Sequence, residues 1–220
     1  MINSLKIMVK SWVKVLPFCL FSLLPLFVSC SEETAEDEEF ANWEARNDVY
    51  LASLVNDSLK QEGWTRIKKY SLNNKIEGEA CDYVYIHVMD SNLIDKSRVD
   101  SKKWKVCPAF TDSVRVAYQG RLIPSASYPQ GKIFDPGTVY GKFSLETSST
   151  TRFKIANMVD GFSTALQAMH IGDYWRVYIP SDLGYGSAGS GSNVPGNSLL
   201  IFDLILIDYS PVGTAMKPWY

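Results

Sequence analysis

Residues 174–209 read YWRVYIPSDLGYGSAGSGSNVPGNSLLIFDLILIDY. In YWRVYIP (174–180), Trp175, Val177 and Ile179 share one side, and Tyr174, Arg176 and Tyr178 share the other. This two-residue alternation predicts a strand. LLIFDLILIDY (199–209) is almost continuously apolar and sets Leu200, Phe202, Leu204 and Leu206 on one face, a second strand. Between them, SDLGYGSAGSGSNVPGN (181–197) carries glycines at 184, 186, 189, 191 and 196. A phosphate-cradling loop would end in Lys-Ser/Thr and open a helix, whereas this one ends near Pro195 and enters a strand, which excludes a nucleotide loop. It reads as a long flap whose few large side chains are Tyr185 and Val194. Loops of this length and composition usually carry function.

Upstream, DGFSTALQAMHIGD places Phe162, Leu166 and Met169 at helical spacing, starting near Asp160 and stopping near Gly172. Before it, YVYIHVM (83–89) and VRVAYQGRL (114–122) are rich in β-branched and aromatic residues, with Val114, Val116 and Tyr118 on one face. Several strands around one short helix predict an α+β domain, a twisted antiparallel sheet with the helix on one face. Residues 40–61 space Phe40, Trp43, Tyr50, Leu51, Leu54 and Val55 as one face of an amphipathic helix, with no Pro or Gly until Gly63. That face serves either to pack on the body of the protein or to join two copies as a homodimer. The segment 40–70 is read as helical, 83–209 as the main domain and 210–220 as a tail.

Composition narrows the function classes. The 220 residues carry a formal charge of −2, and 46% are hydrophobic, which argues for a folded chain and gives a nucleic-acid partner no basic footprint. The N-terminus is an address. Lys6, Lys10 and Lys14 precede an uncharged run, residues 15–29, that contains Pro17 and Pro25 and is too short to span a bilayer. It runs through Leu26-Phe27-Val28-Ser29 into Cys30, which resembles a bacterial lipobox, although Phe27 fits it loosely. Residues 1–29 then form a lipoprotein signal and Cys30 is the lipidation site. Residues 30–39 form an acidic tether, SEETAEDEE after the cysteine, which also resembles export signals on surface lipoproteins of the Bacteroidetes type. Export leaves Cys81 and Cys107 as a pair in an oxidising compartment, a plausible disulfide. With only His87 and His170 and no CxxC, a zinc site or Cys–His catalyst has little to build on.

Four blocks in order, VRVAYQGRL, KIFDPG, VDGFSTALQAMHIGD and IPSDLGYG…NVPGNSLLIFDLILID, resemble the FKBP-type peptidyl-prolyl isomerases over about residues 83–209. The resemblance implies a sheet wrapped around a short helix and a pocket that catalyses rotation about Xaa-Pro bonds. Carried over by position, Tyr118, Phe134, Asp135, Phe162, Tyr185 and Phe202 would be the catalytic set, with Phe153, Met158, Val159 and Val194 binding substrate. Phe162 would be the floor, where many members have Trp. Tyr185 and Asp135 would be the polar rim, and the Val159 N–H a donor. It further implies no cofactor and no metal, proline-containing clients and macrolide inhibitors as further ligands; the signal, Cys30 and the acidic run add a lipid-anchored place on the bacterial outer membrane, facing periplasm or surface.

Each residue also has an ordinary reading. Phe153, Phe202 and Met158 suit a core, Tyr118 and Tyr185 suit half-buried tyrosines, and Asp135 before Pro136-Gly137 suits a turn. The chain departs from the family pattern in the long insertion PGTVYGKFSLETSSTTR between Asp135 and Phe153, where Phe143 competes with Phe153, and at Ser190 and Asn193 in the flap. These departures keep a low-activity chaperone or binding lipoprotein open as an alternative, with an adhesion or scaffold lipoprotein as a third.

Overall fold

The strand at residues 199–209 is apolar on both faces because it lies at the centre of a sheet and is covered on both sides. A computed structural model describes residues 38–219, except 92, 96, 98 and 139–147. In chain order its elements are α1 (Trp43–Asn56), β1 (Trp64–Lys68), β2 (Tyr83–Asp90), β3 (Ser113–Arg121), β4 (Ile133–Asp135), β5 (Thr151–Lys154), α2 (Asp160–Leu166), β6 (Tyr174–Ile179) and β7 (Leu200–Ser210). The sheet is antiparallel with order β1-β2-β6-β7-β3-β4, and β5 also pairs with β3. β7 sits between β6 and β3, and every one of its residues is buried. One face packs Leu200, Phe202, Leu204 and Leu206 into the main core under α2. The other puts Ile205 and Ile207 against Ala117 and Ile94, with Trp219 at the edge of this smaller cluster.

α2 is short, and all its residues after Asp160 are buried. It can come that close to the sheet because residue 161 is glycine. A Cβ there would lie 2.3 Å from Ile179 Cγ2. The helix is also held at its base, where Ser163 Oγ donates to the Ile155 carbonyl at 2.8 Å.

The structure revises the N-terminal segment. The helix ends at Asn56 rather than running toward residue 61, and residues 64–68, read from sequence as helical, form the edge strand β1 paired with β2. Strand β1 follows from pairing, since its exposed Thr65 and Arg66 break any alternation. The apolar face of α1 is spent on its own domain. Trp43 and Leu54 are buried, and Phe40, Tyr50, Leu51 and Val55 pack against the core. The tail folds back, with Arg115 donating to the Lys217 carbonyl at 2.8 Å.

The disulfide allowed by cysteine count is not formed. Both thiols are free. Cys81 sits on the 3-10 turn before β2, beside Asp182, while Cys107 Sγ lies 3.6 Å from His170 Nε2. The signal segment, Cys30 and Phe143 lie outside the described residues, as does most of the tether. Among the described residues no helix is long and apolar enough to cross a membrane.

Candidate active site

Tyr118 on β3, Phe162 on α2 and Phe202 on β7 meet because two local features converge. Strand alternation turns Tyr118 and Phe202 to the α2 face, and the close approach of α2 at Gly161 brings Phe162 over them. The rings of Phe162 and Phe202 meet edge to face at 5.0 Å, and Phe162 meets Tyr118 at 6.1 Å and Phe153 at 6.3 Å in the same manner. Such edge-to-face contacts place the positive rim of one ring on the negative face of the next. Together with Asp135, Asn157, Met158, Val159 and Tyr185 they enclose a hollow of about 260 Å³.

Gly120 explains how the wall is built. It pairs directly with Phe202, and a Cβ there would lie 2.7 Å from Phe134 Cζ and 2.8 Å from Phe202 Cε1. The missing side chain lets the two rings meet edge to face at 5.5 Å. Phe134 packs on Phe202 over Gly120 and is not among the residues that line the hollow. Val194, 3% exposed, is likewise not a lining residue; its backbone bridges to Ser190 within the flap. The remaining residues assigned from the resemblance do come together at the hollow. Asn157 joins them unforeseen. It ends the 3-10 turn Ile155–Asn157, and its only sequence signal is adjacency to Met158-Val159.

The polar rim is ordered by a turn. Asp135 Oδ1 accepts from the Gly137 N–H at 2.9 Å, and its Oδ2 accepts from the Tyr118 hydroxyl at 2.8 Å. Asp135 is thus a turn residue and a pocket residue at once. Gly137 has φ +55, and a Cβ there would lie 2.0 Å from the Tyr118 carbonyl oxygen, so the turn requires glycine. Burial, followed by donation to Asp135 and that carboxylate's charge, holds the Tyr118 hydroxyl well above the usual tyrosine range. Tyr185 is 38% exposed at the mouth, and burial of its hydroxyl and the Asp135 charge push it upward too. Both phenols therefore stay protonated as donors at neutral pH.

Among the described residues, the lining holds no serine, cysteine, histidine or lysine. Its means are shape, apolar walls and hydroxyl donors at the rim.

Residues 105–207 match the FKBP-type peptidyl-prolyl cis-trans isomerase family, a span that contains every residue lining the hollow. The chain is 36% identical over 116 residues to a macrophage infectivity potentiator of Trypanosoma cruzi, covering 53% of each chain. It is 34% identical over 100 residues to an outer membrane protein MIP of Legionella longbeachae, covering 46% of this chain and 37% of that one. The chain thus spans about half the length, or less, of these relatives. A crystal structure of a peptidyl-prolyl cis-trans isomerase from Pseudomonas syringae pv. tomato is similar in fold, with TM-score 0.51 and 22% identity, over 78% of this chain and 96% of that one.

Proposed function

We propose that this chain, which carries an FKBP-type peptidyl-prolyl cis-trans isomerase domain, speeds rotation about Xaa-Pro bonds in exported proteins. The observation that carries the proposal is the ring-walled hollow between Phe162 and Tyr185 with protonated hydroxyls at its rim.

The chemistry asks little of side chains. Rotation passes through a twisted amide that has lost resonance, against a barrier of about 18–20 kcal/mol. The planar amide carries more charge separation than the twisted one, so a dry aromatic pocket solvates the planar form less well than water does and favours the twist. A prolyl ring seated against Phe162, Tyr118 and Phe202 is held while the Tyr185 hydroxyl or the Val159 N–H receives the carbonyl of the preceding residue. A ten-thousandfold gain needs only about 5.5 kcal/mol, within reach of shape, desolvation and one or two hydrogen bonds. Macrolide inhibitors would compete for the same walls.

Tyr185→Phe should lower kcat/KM for a Xaa-Pro peptide by about three- to tenfold, the worth of one hydrogen bond at a half-exposed rim. Asp135→Ala should also lower it, by freeing the Tyr118 hydroxyl. Unchanged rates in both would remove the rim from the mechanism.

The pH response follows from the raised phenols. A rate that depends on neutral hydroxyls should stay flat between about pH 6 and pH 9. Stability changes higher up. Burial lifts Tyr178 from an ordinary 10.0 to about 12 and lifts Tyr118 in the same direction. The stability held in these neutral phenols is complete below the unfolded value and is lost as pH rises through the folded values. Urea midpoints should therefore hold to about pH 9 and fall by pH 11. A bell-shaped rate profile centred near neutrality would mean that a titrating acid–base pair had been overlooked.

For location, the support is the signal-like N-terminus with Cys30, together with a relative that is named an outer membrane protein. Acylation of Cys30 would tether the domain to a membrane through the acidic run. Cys30→Ala should move the protein from the membrane fraction to the soluble envelope fraction, and unchanged fractionation would exclude the lipid anchor. Pairing of two copies through residues 40–61 would have to use the outward side of α1, where Val49 is 71% exposed, because the inward side is buried on its own domain.

A further inference from the structure

Two buried hydrogen bonds tie α1 to the end of the flap, and a local bond on each side orients them. Trp43 Nε1 donates to Ser198 Oγ at 2.7 Å, and Ser198 Oγ donates in turn to the Pro195 carbonyl at 2.6 Å. The Leu199 N–H donates to Asn47 Oδ1 at 2.8 Å, while Asn47 Nδ2 donates to the Trp43 carbonyl at 2.7 Å. Asn47 is 4% exposed and uses both ends of its amide, an arrangement costly to break because the Leu199 N–H would be left buried without its acceptor.

The flap carries this grip forward. Ser190 and Val194 exchange backbone bonds at 2.9 and 3.2 Å, and the Asn197 N–H donates to the Gly186 carbonyl at 2.9 Å. Gly196 packs so tightly that a Cβ would lie 2.1 Å from the Ser187 carbonyl oxygen. Gly186 follows Tyr185, which stands at the mouth of the hollow. Hydrogen bonds from α1 to Ser198 and Leu199, the covalent run 195–199 and the Asn197–Gly186 bond therefore link α1 to the backbone that presents Tyr185.

We propose that α1 is a positioning element of the isomerase site, with Trp43 and Asn47 setting the flap, and through it Tyr185, without touching substrate. The proposal rests on the function proposed above. If the flap loosens, the fraction of molecules with a competent mouth falls, and apparent affinity falls with that fraction. The signature is thus a raised KM with kcat largely kept.

The test uses the full chain and three variants. Asn47→Ala removes the acceptor of the Leu199 N–H. Trp43→Phe keeps a ring but deletes the indole donor, and serves if Asn47→Ala folds poorly. Leu54→Ala, at a buried position on α1 away from the flap contacts, lowers stability without cutting the grip. Native-state amide exchange at Val194 and Asn197 should quicken about tenfold in the first two, with the β3–β7 ladder unchanged, and KM should rise about three- to tenfold. Leu54→Ala should leave flap exchange and KM at wild-type values. Unchanged flap exchange in both Asn47→Ala and Trp43→Phe, or the same change in Leu54→Ala, would overturn the proposal. A wild-type chain without isomerase activity would sink the functional reading, and the exchange comparison would still decide whether α1 sets the flap.

Discussion

Phe162→Ala should lower kcat/KM for a Xaa-Pro peptide by about a hundredfold or more, equivalent to about 2.7 kcal/mol of barrier. Phe162 is 4% exposed and touches the rings of Tyr118, Phe153 and Phe202. Truncating it removes the floor against which a prolyl ring would seat and opens the hollow to water, which solvates the planar amide again. The same change takes a large side chain out of the core, and a Phe→Ala cavity costs about 3–5 kcal/mol of stability. The rate must therefore be read at a temperature where the variant is shown to be folded. Phe162→Leu separates the two effects, since it retains much of the volume and should recover most of the stability. Wild-type kcat/KM in folded Phe162→Ala would show that catalysis does not use this floor.

Asp203→Ala should destabilise the fold by about 3–5 kcal/mol, the cost of stripping the partner from paired charges that are largely out of water. Asp203 lies on β7 one residue from Phe202 and so faces the opposite side of the sheet. Its Oδ1 accepts from Arg176 Nε at 2.7 Å, and its Oδ2 accepts from Arg176 Nη2 at 3.1 Å and Arg121 Nη2 at 2.7 Å. The Asp203 carboxylate holds the Arg176 guanidinium protonated against the opposing pull of burial. One carboxylate thus clamps β3, β6 and β7, the three strands that carry or support the pocket. Removing it strips the Arg176 guanidinium of its carboxylate and leaves Arg121 with only the neutral acceptors Gln119 Oε1 and the Gln130 carbonyl. The urea midpoint should drop with the slope unchanged. The kcat/KM of the folded protein should stay near wild type, because the clamp and the hollow are on opposite faces. A loss of activity as large as that of Phe162→Ala would show that the two faces are not independent.

The sheet's centre and the pocket were legible because their signals are local. The alternation in residues 174–180, the apolar run at 199–209 and the helical spacing of Phe162, Leu166 and Met169 each report a nearby backbone geometry. The order of four short blocks then pointed to Tyr118, Asp135, Phe153, Met158, Val159, Phe162, Tyr185 and Phe202, which the fold brings to one hollow. What was not legible depends on distant partners. Strand β1 exists because Trp64–Lys68 lies along β2, and nothing within those five residues demands it. The second core under β7 needs Ile94 and Trp219, over a hundred residues apart in sequence, to reach the same face. Phe134 matched a pocket position by order, yet its place over Gly120, packed on Phe202, could not be read from that order. The cysteines could be counted but not placed. The grip of α1 on the flap joins residues 152 and 155 positions apart, beyond any periodicity.

The most direct measurement is exchange NMR on a proline-containing peptide, with a substoichiometric amount of the full chain added. Without protein, cis and trans signals interconvert over roughly tens to hundreds of seconds at 25 °C. The account predicts exchange cross-peaks on a sub-second mixing time, suppressed by Phe162→Ala. Cis and trans peaks that exchange no faster with the protein than without it would contradict the claim that this ring-walled hollow turns prolyl bonds.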